Sequence, residues 1–318
     1  MELIVKILKK LHLLDFALKV KKNRIRRKRL TKKVRFENRS KDKEKLLIVL
    51  AGYKPFLYEI VFKRIKKFVD NDIEICIVSS GKYDEKLSEI AEKNDWSYLS
   101  VKRNNVALAQ NVAINSFPNA KLIYKLDEDI FVTKNYFKNL LKTMNDCEKK
   151  GEYKPGFIAP MIPINGFSNM LVLERFNKKK EYEKRFEKPL YKAGRERMIE
   201  SNPDVAKAFW GENDFLPQLD EMNKIVNKDK MDYVSCPIRF SIGAILFERK
   251  LWEDMGMFEV KSGPGMGLDE EQICSYCMIS SNAIIVSKNT IVGHLSFGTQ
   301  NESMKKYFEE HKDVFNIQ

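Results

Sequence analysis

Three consecutive acidic residues, Asp127, Glu128 and Asp129, follow a short and mostly apolar run at 122–126. Side chains of a strand alternate between its two faces, so we expect Asp127 and Asp129 on one side and Glu128 on the other. Two carboxylates at a strand end can hold a hard divalent cation, which can in turn bridge the phosphates of a nucleotide. An acidic turn without a ligand is the alternative, because an Asp-x-Asp triplet is common.

A second acidic group, Asp269 and Glu270, follows a loop that contains Gly263, Gly265 and Gly267. The residues alone favour a structural role, because acids in the first turn of a helix complement its dipole and cap it. A catalytic role for this pair rests on the resemblance described below.

His294 follows the strand-like residues 291–293 and is one of three histidines in the chain. The other two are His12 and His311, in the basic tail and in a terminal helical stretch. Neutral imidazole is a suitable ligand for a metal ion that a carboxylate already holds. A lone histidine is also often structural, so both interpretations stay open on the residues alone.

From Lys45 onward, strand-like and helix-like segments alternate. The hydrophobic patterns predict strands at 46–51, 73–78, 96–101 and 122–126, with helices at 58–69, 87–94 and 107–116. This alternation indicates an α/β fold with a mostly parallel sheet and helices on both faces. Ligand sites in such sheets lie at the carboxyl ends of the strands, which draws attention to Ala51, Tyr53 and Ser80.

Two further strands are predicted at 157–163 and 240–247, on either side of a stretch of mixed charge. That stretch has the composition of solvated helices, so we predict a helical insertion at about 167–235 rather than a second domain. The predicted organisation is an arm at 1–44 and one domain at 45–318.

The acidic triplet after the fourth strand resembles the nucleotide-sugar glycosyltransferases of the GT-A fold, in particular their large family-2 group. Two further segments match this group in the same order along the chain. Residues 243–258 resemble its strand–helix unit that ends in a Gly-x-Phe turn and precedes the acidic pair, and residues 291–298 resemble its histidine-bearing strand. The resemblance covers roughly residues 45–165 and 238–298.

The resemblance implies a metal-dependent, inverting transfer of sugar. Asp127, Asp129 and His294 would hold Mn²⁺ or Mg²⁺ against the diphosphate of a nucleotide-sugar donor, with a UDP-sugar as the first expectation. Asp269 or Glu270 would act as the general base, and Glu270 aligns with the usual aspartate. The residues expected to bind substrate are Ala51, Tyr53, Ser80, Asn111, Asp127 and Gly267.

The sequence also departs from the family pattern. Ser79 and Ser80 stand where the family has an aspartate pair that contacts the base or ribose. In the run at 103–111, Ala107, Ala109 and Asn111 match, while the first asparagine, the glycine and the arginine of the family do not. The chain is therefore interpreted as a divergent member, with the donor nucleotide left open.

The formal net charge of +14, from 58 Lys and Arg against 44 Asp and Glu, is concentrated in the arm. Residues 1–44 contain 17 basic and five acidic residues and carry +12 of it. The remainder of the chain is nearly neutral, so the charge does not indicate a nucleic-acid-binding domain.

The arm combines an apolar helical stripe with the basic cluster at 19–35. The stripe consists of Ile4, Ile7, Leu8, Leu11, Leu14 and Leu18, spaced three and four residues apart. This combination suits an anionic membrane surface contacted through residues 1–35, and an inert or partner-binding arm or a nucleic-acid contact are the alternatives. Interspersed charges argue against a membrane span or a signal peptide. Five scattered cysteines suit a reducing compartment, so we expect a cytoplasmic enzyme at the inner face of the membrane.

The sequence therefore predicts a glycosyltransferase that acts on a glycan or lipid-linked acceptor, with bacterial surface polysaccharide synthesis as its setting and no nucleic-acid partner. A nucleotidyltransferase is one alternative, and the loop at 51–55 is a weak candidate for its phosphate-binding loop. A catalytically inactive membrane-associated adaptor on the same fold is the other.

Overall fold

Nine strands form one mixed sheet in a computed structural model that describes residues 13–261 and 267–317. The strands are β1 (Val34–Glu37), β2 (Lys45–Leu50), β3 (Ile73–Ser80), β4 (Ser97–Val101), β5 (Leu122–Asp127), β7 (Pro155–Met161), β8 (Tyr233–Ser235), β9 (Ala244–Glu248) and β10 (Ala283–Ile291). A separate two-stranded ladder joins β6 (Ile130–Phe131) to β11 (Gly293–His294).

The helices of the first half are α1 (Leu14–Arg29), α2 (Tyr58–Phe68), α3 (Glu85–Lys93), α4 (Val106–Ser116) and α5 (Tyr136–Lys150). Those of the second half are α6 (Ser168–Arg175), α7 (Lys179–Arg185), α8 (Met198–Ser201), α9 (Pro203–Phe209), α10 (Leu219–Val226), α11 (Arg249–Asp254), α12 (Leu268–Ile279), α13 (Asn301–Glu310) and α14 (Lys312–Phe315). Short 3₁₀ turns lie at Pro55–Leu57, Glu212–Asp214 and Gly298–Gln300.

The strand order is β1-β4-β3-β2-β5-β9-β7-β10-β8. β4, β3, β2 and β5 are mutually parallel, as predicted, whereas β9 runs antiparallel between β5 and β7. β2 lies between β3 and β5, and its side chains Leu46–Val49 are fully buried. Parallel strands covered on both faces require such continuous apolar runs, and this is why the sequence pattern located them.

Strand β1 lies within the range predicted as the arm. Val34–Glu37 pairs antiparallel with β4, and the half-buried side chains of Val34 and Phe36 pack against the core. The predicted boundary at residue 44 is therefore corrected, because the folded domain already includes β1 and its contacts. The short apolar alternation at Val34 and Phe36 is hidden among basic residues.

Several other sequence expectations can be compared directly with the structure. Gly263 and Gly265 lie outside the described residues, as do Ile4, Ile7, Leu8 and Leu11 of the apolar stripe. All five cysteines are buried and unpaired, as expected for packed thiols rather than disulfides. No helix among residues 13–261 and 267–317 combines the length and apolar character of a membrane span.

The region between β7 and β8 is helical and is joined to the core through Trp210. The indole ring packs against Phe131 and Phe315, with ring centroids 5.0 and 4.5 Å away. A Cβ atom on Gly293 would lie 2.2 Å from the indole, so glycine is required there. Trp210 therefore fixes this region to the β6–β11 ladder, and these packing contacts explain why a tryptophan stands at this position.

The buried guanidinium of Arg64 joins α2 to α10 and to the C-terminal end of the chain. The guanidinium of Arg64 donates to both carboxylate oxygens of Asp220 at 3.0 and 2.9 Å. It also donates to the carbonyls of Val132, Phe315 and Asn316. Each N–H group of this buried guanidinium thus has a partner, as a buried cation requires.

Replacing Arg64 by methionine is expected to cost about 3–5 kcal/mol of unfolding free energy, because Asp220 would lose its buried cation. Urea denaturation followed by circular dichroism measures this loss. Arg175→Met is the matched control, since its bidentate pair with Asp229 is exposed and is expected to contribute only about 0–1 kcal/mol. Equal losses in the two variants would contradict the assignment.

Candidate active site

The loop after β2 is held in place by Glu128. Its carboxylate accepts hydrogen bonds from the backbone N–H groups of Gly52, Tyr53 and Lys54, at 2.8, 3.1 and 3.0 Å. Burial raises the pKa of Glu128, although these three donors favour its ionised form. Glu128 thus couples the acidic triplet to the neighbouring loop, a role that the alternation of strand side chains does not reveal.

Tyr53 and Ser80 meet across the carboxyl ends of β2 and β3. The phenol of Tyr53 donates to the Ser80 carbonyl at 2.6 Å, while 56% of the tyrosine remains exposed. The ammonium of Lys82 lies 5.1 Å from the ring centroid. Ala51, the first residue after β2, is buried, and its N–H donates to the carbonyl of Val78. The ring of Tyr53 is therefore exposed but held in place by the hydrogen bond of its hydroxyl group to Ser80.

If the chain is the glycosyltransferase that its sequence predicts, replacing Glu128 by glutamine is expected to raise the KM for the nucleotide-sugar donor roughly tenfold with a smaller change in kcat, since a neutral amide holds the three N–H groups less strongly. Steady-state kinetics measure the split. Glu37→Gln is the control, because Glu37 bonds to Tyr83 and Ser88 instead. A pure kcat effect would contradict a role in positioning the loop.

Asp127 ends β5 and pairs with a lysine of the same strand. The Nζ atom of buried Lys125 lies 2.6 Å from its Oδ1 atom, as expected for residues two apart on one face. Burial raises the pKa of Asp127, and the ammonium of Lys125 opposes this shift. Asp127 keeps 37% of its side chain exposed. The carboxylate of Asp127 can therefore be reached by a ligand, although it already pairs with Lys125.

Asp129 lies beyond the end of β5, in the turn before β6, so the strand alternation does not apply to it. Its Oδ2 atom contacts the ammonium of Lys54 and lies 3.4 Å from Nε2 of His294. Burial opposes ionisation of Asp129, yet His294 and Lys54 hold its pKa well below the usual range. The antiparallel pairing of His294 with Ile130 brings the imidazole to the carboxylate.

The carboxylate of Asp129 and the imidazole of His294 form a donor pair that fits a divalent metal ion. His294 is buried, and its Nδ1 atom has no hydrogen-bond partner, so the protein does not use that nitrogen otherwise. Among the described residues, no third His, Cys, Asp or Glu side chain completes a metal-binding cluster. A metal ion here would take its remaining ligands from substrate or water, and Lys54 would have to yield the shared oxygen.

Asp269 and Glu270 lie in the first turn of α12 and have different partners. Gln110 donates to Asp269 at 2.6 Å, and both side chains are buried. Glu270 faces Arg239, with 3.2 Å between Oε1 and Nε, and burial raises its pKa to about 7 although Arg239 opposes the shift. Gly267 precedes them with a φ of +87°, a conformation that favours glycine. The pKa of Glu270 therefore lies near neutrality.

Asn111 belongs to the scaffold, which corrects its expected role in substrate binding. Its Oδ1 accepts from the Trp252 indole and the Phe258 N–H, both at 2.9 Å. Its Nδ2 donates to the carbonyls of Arg29 and Phe258. The side chain is fully buried and has no free donor or acceptor to offer a ligand.

Comparison with known proteins supports the fold. No family model and no curated protein sequence matches the chain. The crystal structure of GalNAc-T7 with UDP, GalNAc and Mn²⁺ matches 87% of this chain and 50% of that chain, with a TM-score of 0.51 and 13% identity. The mannosyltransferase PcManGT from Pyrobaculum calidifontis, in complex with GDP-Man and Mn²⁺, matches 91% and 68%, with a TM-score of 0.45 and 15% identity.

At 13% identity, the similarity to GalNAc-T7 shows a shared fold, and it confirms the predicted α/β GT-A class. The chain spans half the length of that protein. Membership of the family-2 group stays a prediction.

Proposed function

We propose that this chain is a metal-dependent glycosyltransferase that moves a sugar from a nucleotide-sugar donor to an acceptor hydroxyl. The observation that carries the proposal is the contact between Asp129 and His294 at the carboxyl edge of a GT-A sheet. The structural similarity to GalNAc-T7, which was solved with UDP, GalNAc and Mn²⁺, supports the same assignment.

Asp129 and His294 would hold the metal ion, and Asp127 would contact the donor beside it. A carboxylate suits either Mn²⁺ or Mg²⁺, whereas an imidazole ligand favours Mn²⁺. When bound, the ion supplies Lewis-acid stabilisation of the negative charge that grows on the departing diphosphate. Lys54 lies beside the same oxygen of Asp129 and can donate to a phosphate group once it is released.

The donor nucleotide would lie on the surface formed by Tyr53 and Ser80. The exposed tyrosine ring offers a stacking face to a base, and it is anchored through its hydroxyl group at 2.6 Å. The backbone N–H group of Tyr53 donates to Glu128, which lies between Asp127 and Asp129 in the chain, so a base on this ring would lie near the proposed diphosphate site. A UDP-sugar is the first donor to test.

Glu270 would act as the general base. It takes the proton of the acceptor hydroxyl, the resulting oxygen attacks the anomeric carbon, and the bond from that carbon to the diphosphate breaks with inversion. A base works best when its pKa lies near the operating pH, which suits a carboxyl group with a pKa of about 7. Asp269, held by Gln110, would maintain the start of α12 beside it.

The nucleotidyltransferase alternative depends on a loop after the first long strand that cradles phosphates through free backbone N–H groups. The N–H groups of Gly52, Tyr53 and Lys54 instead donate to Glu128. This arrangement argues for sugar transfer over nucleotidyl transfer.

A peripheral location at the inner face of a membrane, with a glycan or lipid-linked acceptor and a role in bacterial surface polysaccharide synthesis, completes the proposal. The exposed apolar residues Leu13, Phe16 and Val20, at the N-terminal end of α1 within the basic arm, support this location.

A panel of UDP- and GDP-sugars, each with Mn²⁺, Mg²⁺ or a chelator, tests the proposed activity through nucleotide release. We expect metal-dependent release of a nucleoside diphosphate, with the sugar transferred to an acceptor or to water. Formation of a nucleoside triphosphate and a sugar 1-phosphate when pyrophosphate is added to the same donors would instead identify a nucleotidyltransferase. No turnover of any donor would favour the inactive adaptor.

A further inference from the structure

Helix α1 is fixed to the folded domain at its C-terminal end. Arg29 donates to the carbonyls of Gly256 and Met257 at 2.8 and 2.6 Å. Arg26 donates to Oδ1 of Asn115 at 2.6 Å. These three hydrogen bonds join α1 to α4 and to the turn after α11, so the helix has a set orientation against the domain.

One face of α1 is apolar and unpartnered among the described residues. Leu13, Phe16 and Val20 are 46%, 67% and 50% exposed. Steps of three and four residues place them on one stripe of the helix, and the same steps continue to Asn23 and Arg27. These three residues form the apolar stripe of α1, which differs from the stripe predicted between Ile4 and Leu18, and it leads to Asn23 and Arg27, two of the residues that line a cavity at the base of the helix.

That cavity measures about 830 Å³ and lies between α1, β1 and the end of α4. Its cationic lining residues are Arg26, Arg27 and Lys32, and its apolar lining includes Leu30, Phe36 and Val112. None of the described residues that line it is acidic. Positive charge next to an apolar surface is complementary to an amphiphilic anion.

We propose that this cavity binds the phosphate and glycerol region of an anionic phospholipid, while the apolar stripe of α1 lies on the membrane that supplies it. Guanidinium groups match the planar, multidentate geometry of a phosphate, and the apolar lining accommodates the first part of an acyl chain. The exposed stripe buries apolar surface only against a bilayer or a protein, which favours a lipid over a nucleic acid. This inference rests on the proposed peripheral location and adds a defined lipid site to it.

The lipid site is separate from the proposed active site. The N–H group of Asn105, which precedes α4, donates to the side chain of Ser80 at the donor edge of the sheet. The cavity lies at the other end of α4, beside Asn115 and Ser116. At 1.5 Å per residue, the helix separates the two sites by roughly 16 Å. The bound phospholipid would therefore orient the enzyme on the membrane rather than serve as the acceptor.

The test uses the full chain and soluble dihexanoyl phosphatidylglycerol, with dihexanoyl phosphatidylcholine and inorganic phosphate as comparison ligands. We expect saturable binding of the phosphatidylglycerol alone, measured by calorimetry. The double variant Arg27→Gln, Lys32→Gln is expected to weaken it roughly 30-fold, since each basic residue contributes about 1 kcal/mol near an anionic lipid. Within residues 13–261 and 267–317, neither side chain makes a hydrogen bond that anchors α1, so we expect the variant to keep the fold.

The matched control is Lys63→Gln, Lys66→Gln, which removes the same charge from exposed positions on α2. Helix α2 connects β2 to β3, whereas α4 connects β4 to β5, and these two connections run in opposite directions across the sheet. Because crossovers between parallel strands are right-handed, α2 and α4 lie on opposite faces of the sheet. This control should bind the lipid like the wild type. The double variant Phe16→Ser, Val20→Ser should still bind the soluble lipid, but it should no longer float with phosphatidylglycerol vesicles.

Unchanged lipid affinity in the Arg27, Lys32 variant would overturn the cavity assignment, as would equal binding of inorganic phosphate. Tighter binding of a short single-stranded RNA than of phosphatidylglycerol would overturn it in favour of a nucleic-acid contact. If the wild type bound neither vesicles nor soluble lipid, the peripheral location would fail as well. Sugar transfer to a soluble acceptor is measured separately, so the proposed activity is judged independently.

Discussion

Asp129→Asn is expected to lower Mn²⁺-dependent sugar transfer by about 10³-fold, because a Lewis acid at the leaving group contributes several kcal/mol and each 1.36 kcal/mol is tenfold in rate. The amide keeps the shape of the carboxylate but loses the charge that faces His294 and Lys54. Mn²⁺ binding, followed by electron paramagnetic resonance in the absence of donor, should be lost together with the activity.

Two comparison variants sharpen this test. Asp127→Asn should weaken Mn²⁺ binding less than Asp129→Asn, because Asp127 pairs with Lys125 rather than with His294. Asp254→Asn makes the same chemical change on the surface, where Asp254 pairs with Lys250, and it should leave Mn²⁺ binding and sugar transfer unchanged. Full metal-dependent activity in Asp129→Asn, with a normal circular dichroism spectrum, would refute the metal assignment.

Glu270→Gln is expected to lower kcat by about 10²–10⁴-fold, the range that a positioned general base contributes. Because burial raises its pKa to about 7, the wild-type rate should fall as the pH drops below that value and the base becomes protonated. Asp269→Asn should cost less and keep this pH profile. Equal and mild losses in the two variants would mean that neither carboxylate removes the proton.

The same raised pKa makes a prediction about stability. The folded-state pKa of about 7 lies above the ordinary value of 4.5, so Glu270 stabilises the fold at low pH and loses this contribution as the pH rises through 7. Glu270→Gln should therefore gain melting temperature relative to the wild type at pH 8 and show little difference at pH 4. A constant difference between the two proteins across this range would contradict the shift.

The parallel half of the sheet was predictable because its information is local. β2, β3 and β5 are mostly apolar segments that need cover on both faces, and they stand out in the sequence although β3 contains Glu74 and β5 contains Lys125. β1 was missed because only Val34 and Phe36 mark it within a run of basic residues. Its pairing with β4 depends on contacts made more than 60 positions away.

The site was predictable in composition but not in its connections. The contact between Asp129 and His294 depends on pairing of β6 with β11, two strands of two residues each, and only the family resemblance linked them beforehand. Glu128 has its role because three backbone N–H groups 74–76 positions earlier turn toward it. The role of Lys54 could not be predicted from the sequence either, since nothing local indicates that its ammonium reaches Asp129.

The position of β1 sets a limit on how the proposed membrane-binding segment can be removed. A truncation at residue 40 would leave the N–H and C=O groups of β4 unpaired along the outer border of the sheet, where a second chain could add its own strand and start aggregation. It would also remove Arg29, which holds the turn at Gly256. A soluble form should therefore begin no later than Asn23, so that loss of membrane binding is not confused with self-association.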